Sequence, residues 1–110
     1  MKIEPTKLFE QQVKRLTKKY PSLAREIPAA LIPLTNNQLE GFDAMPKGFY
    51  KIRVPIASKG VGKRSGARII AHVRIIEDKA FLVSIYDKAD YDNVSDDILK
   101  EFMRENKPPQ

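Results

Sequence analysis

At 110 residues, with 42% apolar and 31% charged side chains, the chain has the size and composition of one ordinary globular domain. The absence of cysteine excludes disulfides and thiolate metal sites, the single histidine excludes a histidine-rich zinc site, and no apolar run is long enough to cross a bilayer. A net charge of +6 and a pI of about 9.6 favour a polyanionic partner.

The first element expected is a short strand at 2–4. A helix follows over 7–19, because Phe9, Val13, Leu16 and Tyr20 recur at helical spacing and Lys18 and Lys19 suit its C-terminal dipole. Pro21 and Ser22 mark a break and a new N-cap. Leu23, Ile27, Leu31 and Leu34 then give a second apolar stripe, interrupted by Pro28 and Pro33, so a kinked or segmented helix ending near Asn36 is expected. Residues 38–48 read as a loop. Residues 49–56 alternate as a strand, Pro55 marking an edge or a fraying end. A glycine-rich basic loop at 57–66 leads to a second strand at 67–76. A turn at 77–79 and a hairpin partner at 80–86 follow. Ser95 caps a last helix whose stripe is Ile98, Leu99, Phe102 and Met103, and a loose tail is expected over 106–110. The expected architecture is α+β in one domain over 1–110: two N-terminal helices on one face of a small, mainly antiparallel sheet, with a short C-terminal helix.

Charge is segregated along this plan. Between Ala44 and Ile76 stand eight Lys or Arg and no Asp or Glu; from Glu77 onward nine acidic residues outnumber five basic ones. Strand alternation turns Ile52, Val54, Ile56, Ile69, Val73, Ile75, Phe81, Val83 and Ile85 toward the helices. The opposite face then carries Lys51, Arg53, Arg68, His72, Arg74 and Ser84, with Tyr86 and Lys88 as candidates at its end and no carboxylate from the strands. Cations and hydroxyls without carboxylates suit a phosphodiester, which arginine grips through paired hydrogen bonds. The loop residues Lys59, Lys63 and Arg64 lack the spacing of a Walker loop but suit a phosphate backbone, as does Arg74. RNA supplies its own nucleophile, the 2′-hydroxyl, so a cation face with a lysine base can cleave it without metal or cofactor. The competing reading of each residue is structural. Lys51 and Arg53 then belong to a solvated outer face, Arg74 balances the acidic C-terminal segment, and His72 is a packed histidine.

The segment YKIRVPIASKGVGKRSGARIIAHV, followed by VSIYDKADYDNVSDDIL, resembles the HigB-like branch of the RelE/ParE toxins, and TKLFEQQVKRLTKKYPSL is similar to their first helix. The resemblance covers nearly the whole chain. It implies a microbial-RNase-like sheet and a toxin of a type II toxin–antitoxin pair. Such a toxin is a metal-independent endoribonuclease that cuts mRNA on the ribosome and inhibits translation. It matches Lys51 and Arg53 to strand-borne cations, Arg68 to the arginine after the basic loop, Lys88 to the basic residue ending the last strand, and Tyr91 to a C-terminal catalytic tyrosine; His72 is a further acid candidate. It also implies a helix-turn-helix antitoxin encoded nearby. The expected cytoplasmic location rests instead on the basic N-terminus lacking a following apolar stretch and on the absence of a membrane-length apolar run. Val61 stands where the branch often has a basic residue, Ala89 stands where RelE itself has a second basic residue, and Pro28 and Pro33 are unusual for the second helix. Two other readings of the same fold stay open: a ParE-like gyrase poison without RNase activity, and a non-catalytic module that binds RNA or a partner.

Overall fold

A computed structural model describes residues 1–59 and 66–107. In chain order the described residues form β1 (Lys2–Pro5), α1 (Lys7–Lys19), α2 (Leu23–Thr35), β2 (Asp43–Ala44), β3 (Phe49–Val54), β4 (Ala67–Arg74), β5 (Lys79–Asp87) and α3 (Asp96–Glu105). The sheet order is β1-β5-β4-β3-β2; β1 runs parallel to β5 and the other pairs are antiparallel. The fold is α+β, with two N-terminal helices on one sheet face and α3 on the other.

Helix α1 begins where expected. The Thr6 hydroxyl accepts from Phe9 N–H at 3.2 Å and donates to the Leu82 carbonyl at 2.8 Å, so the cap also fixes the helix to β5. Helix α2 is not segmented: it runs as one element from Leu23 to Thr35, with Asn36 at its C-cap as expected and both prolines inside it. Burial of Leu23, Ile27 and Leu34 against the sheet outweighs the two missing backbone donors. Ser22 is not a side-chain cap either; its hydroxyl bonds Glu26 Oε1 at 2.6 Å and Ser58 Oγ at 2.8 Å, tying the helix start to the turn after β3.

The main core lies between these helices and the sheet, around Phe9, Leu16, Ile52, Ile69, Ala71 and Leu82. A second core on the far face joins Phe49, Ile70, Val83, Tyr86, Val94 and Phe102 beneath α3. This overturns the expected facing of β5. Arg74 pairs with Lys79 and His72 with Phe81, but Ala71 pairs with Leu82 and Ile70 with Ser84, so Val83 is an extra residue. The bulge leaves Phe81 and Val83 on the α3 face and sends Leu82 and Ile85 to the α1 side. Ser84 keeps the expected face, paired with Ile70, and its hydroxyl donates at 3.1 Å to Gln12 Oε1, which also accepts from Ile85 N–H at 2.9 Å. Ile75, expected inside, lies past the end of β4 and is exposed, as is Ile76. Within the expected loop 38–48, Asp43 and Ala44 form an edge strand. At the other end Asn106 is not loose: its N–H reaches Phe102 O at 2.9 Å and its carbonyl accepts from Arg74, while residues 108–110 lie outside the described set.

Candidate nucleic-acid interface

The register of the three central strands builds the site. Arg53 pairs with Arg68, and Arg68 pairs with Tyr86, so the three side chains form one cross-strand row. Directly paired residues share a sheet face. That face is the one carrying Phe49, Ile70 and Tyr86, and helix α3 covers its lower half. Lys51 lies one pleat along from Arg53 and is half-buried. The expectation of a carboxylate-free face needs correction, because edge strand β2 places Asp43 opposite Lys51 and 3.9 Å from Arg53 Nε. The pair is open to solvent, so it neutralises little.

The row grades from wet to dry. The Arg53 side chain is exposed, Arg68 is 9% exposed and Tyr86 is 7% exposed. Arg68 Nη1 donates to the Ala67 carbonyl at 3.1 Å, which orients the guanidinium. The Tyr86 hydroxyl is buried and finds no hydrogen-bond partner among the described residues. Burial pushes its phenol pKa up, and the Arg68 charge pulls the other way without cancelling it. The hydroxyl is therefore a proton donor at neutral pH, with its donor capacity unspent. Tyr91 packs edge-on to Tyr86, ring centroids 6.5 Å apart at 84°, and is itself exposed. Lys88 continues the ladder through its N–H to Gly66 O at 3.1 Å. Its ammonium donates to the Asp92 carbonyl at 3.1 Å.

No family model matches this chain, and no curated protein matches it. The chemistry of the site is therefore read from its residues.

Three other sequence-predicted residues lie elsewhere. His72 sits beneath α3 between Phe49 and Phe102, ring centroids 4.7 and 5.3 Å away. Nε2 donates to the Lys47 carbonyl at 3.0 Å, while Nδ1 accepts from Arg74 Nε at 3.3 Å, which defines a neutral ring. Burial lowers its pKa, aided by the Arg74 charge; the Lys47 carbonyl and Glu77 oppose. The Lys47 carbonyl reaches the ring because Lys47 and Gly48 adopt positive φ of 64° and 84°. Arg74 lies over the Phe81 ring at 4.8 Å and donates to the Asn106 carbonyl, clamping the end of α3. Lys59 is on the α1 side, where Asp87 Oδ1 accepts its ammonium at 2.7 Å and Asp87 Oδ2 accepts the Tyr20 hydroxyl at 2.9 Å. Burial opposes the Asp87 charge, but the Lys59, Ala89 and Tyr20 donors together hold its pKa below the usual carboxylate value. Lys63 and Arg64 lie outside the described residues.

The structure thus brings together Arg53, Arg68 and Lys51, with Tyr91 and Lys88 at the margin. Tyr86 is the residue sequence reasoning undervalued. Its signal lay in strand pairing: an unbulged ladder opposes Arg68 to Ile85, a charge against an apolar residue on one face. One inserted residue replaces that conflict with Arg68 beside Tyr86.

Proposed function

We propose that this chain is the toxin of a type II toxin–antitoxin pair and cleaves mRNA on the ribosome without a metal. The observation that carries the reading is the row Arg53–Arg68–Tyr86, two guanidiniums and an unsatisfied hydroxyl on adjacent strands of one face. Its resemblance to the HigB-like branch points the same way. Arg53 and Arg68 grip the non-bridging oxygens of the scissile phosphate and stabilise the added charge of the transition state. Lys51 or Lys88 takes the proton of the 2′-hydroxyl, whose oxygen attacks phosphorus. The P–O5′ bond breaks, and the leaving oxygen takes a proton from a tyrosine hydroxyl, Tyr86 or Tyr91. The products are a 2′,3′-cyclic phosphate and a 5′-hydroxyl. His72 has no part, being neutral and packed about four residues along β4 from Arg68. The work is cytoplasmic, and a helix-turn-helix antitoxin restrains the toxin.

The test is induced expression in bacteria with a growth curve and mapping of new mRNA ends. Wild type arrests growth and cuts translated mRNA. Arg53→Ala combined with Arg68→Lys, which keeps the buried charge but loses the fork, relieves both without moving the unfolding midpoint. Arrest with intact mRNA and broken DNA replaces this reading with the gyrase poison, and RNA binding without arrest replaces it with the non-catalytic module.

A further inference from the structure

Asp87 ends β5 and is 2% exposed, yet the cleavage chemistry above gives it no part. It pairs with Ala67, a residue of the main core, so its side chain lies on the α1 side, opposite the face of Arg53, Arg68 and Tyr86. Its two carboxylate oxygens serve different partners. Oδ2 accepts the Tyr20 hydroxyl at 2.9 Å, and Oδ1 accepts the Lys59 ammonium at 2.7 Å. These bonds join the end of α1 to the segment after β3. Oδ1 also accepts from Ala89 N–H at 3.0 Å, and the Asp87 carbonyl accepts from Asp90 N–H at 2.9 Å and Tyr91 N–H at 3.2 Å. Side chain and backbone of one residue thus close the turn that follows β5. Lys88 opens that turn and Tyr91 ends it. Tyr91 is 63% exposed, so burial does little to place it. An aspartate that accepts from the N–H two residues on holds a turn that alanine leaves to the backbone alone.

We propose that Asp87 is a positioning residue for RNA cleavage: by accepting from Ala89 N–H it sets the turn that carries Lys88 and Tyr91 to the margin of the cation row. The inference rests on the nuclease reading and adds to it a residue on the opposite face of the sheet. A general acid or base works only within hydrogen-bond reach of its proton, and a displacement of about 1 Å can cost on the order of 100-fold in rate. Two properties of Asp87 then have separate consequences. The acceptor beside Ala89 N–H governs turnover, and the charge facing Lys59 governs stability.

Two variants of the full chain separate them. Asp87→Asn keeps an Oδ1 acceptor for Ala89 N–H and gives up the charge. Asp87→Glu keeps the charge, and its extra methylene carries the oxygen past the Ala89 N–H. Cleavage is followed by primer extension in a cell-free translation reaction with the ribosome concentration varied, which splits kcat from KM, and the Ala89 amide by hydrogen exchange. Asp87→Asn should keep kcat within about threefold of wild type and keep the Ala89 amide protected, although its unfolding midpoint falls. Asp87→Glu should lose about tenfold or more in kcat at unchanged KM, together with that protection. Tyr20→Phe, which removes only the Oδ2 partner, should lower the midpoint and leave kcat within about threefold. Full cleavage by Asp87→Glu, or cleavage that follows the midpoint across the three variants, overturns the positioning role alone. A wild type that leaves mRNA whole removes the nuclease reading and this role together.

Discussion

Tyr86→Phe separates stability from chemistry at the cation row. The ring is 7% exposed and packs in the second core, so phenylalanine preserves its apolar contacts. What the change deletes is a buried hydroxyl without a hydrogen-bond partner among the described residues. An unsatisfied buried polar group costs about 1–3 kcal/mol. The variant should therefore be more stable by about 1 kcal/mol, or about 4 °C in Tm for a domain of this size. The same deletion removes a hydrogen-bond donor aligned with Arg68, which should lower mRNA cleavage about 100-fold or more. Urea unfolding by circular dichroism gives the first quantity, and primer extension on mRNA from a cell-free translation reaction gives the second. A loss of 1 kcal/mol or more would mean that the hydroxyl is bonded in the fold, contradicting the geometry. Undiminished cleavage by a stable variant would remove Tyr86 from the reaction and leave Tyr91 as the donor.

The remaining predictions concern the frame that holds the row. Asp87→Ala strands the Lys59 ammonium and should cost on the order of 3 kcal/mol in urea unfolding; a change under 1 kcal/mol refutes a buried ion pair. Because the folded pKa of Asp87 is lowered, its contribution is complete above the unfolded value of about 3.9 and is lost as pH falls through the folded value. Acid unfolding of Asp87→Asn should lack that component. The folded pKa of His72 is also lowered, so the unfolded chain takes up its proton first and stability declines as pH drops below about 6.5. Proton NMR of this single histidine reads the pKa directly, and a value above 6.5 refutes the buried neutral ring. Phe102→Ala empties the contact with Phe49, His72 and Phe81 and should cost about 3–5 kcal/mol, with amide protection lost first in α3.

Much of this frame was legible in the residues. The period of α1 and the alternation of β3 reflect burial of one face, and the cap of α3 reflects the Ser95 hydroxyl accepting from Asp97 N–H. Helix α2 was obscured by Pro28 and Pro33, because a local backbone penalty is visible in sequence while the burial that overrides it is not. The β5 facing was misread for a sharper reason. Alternation assigns faces strand by strand, whereas a hairpin also requires opposed residues to share a face. With Arg74 opposite Lys79, His72 must share its face with Phe81, and that alone places Phe81 away from α1 and α2. The bulge itself carries no composition signal: Val83 and Ser84 are ordinary strand residues, and Gln12, which accepts from Ser84 and Ile85, lies about seventy residues away.

The division of the sheet face explains why His72 and Arg74 differ from Arg53 and Arg68 despite the same alternation. α3 begins after Ser95 and ends at Glu105, a span of about 15 Å, which covers the β4–β5 ladder only near the hairpin end. Residues beneath it must pack: His72 becomes neutral, and Arg74 spends its donors on the helix terminus and stacks on Phe81. At the other end Tyr86 still joins the second core, but nothing among the described residues overlies Arg53. The covered half thus fixes the strands whose register sets the spacing of the open half. On the proposed nuclease reading, loosening α3 should impair cleavage even though α3 supplies none of the proposed catalytic groups. Phe102→Leu, which keeps an apolar side chain of reduced volume, tests this: the expected result is lowered cleavage per folded molecule with Arg53 and Arg68 intact, and full activity refutes the coupling.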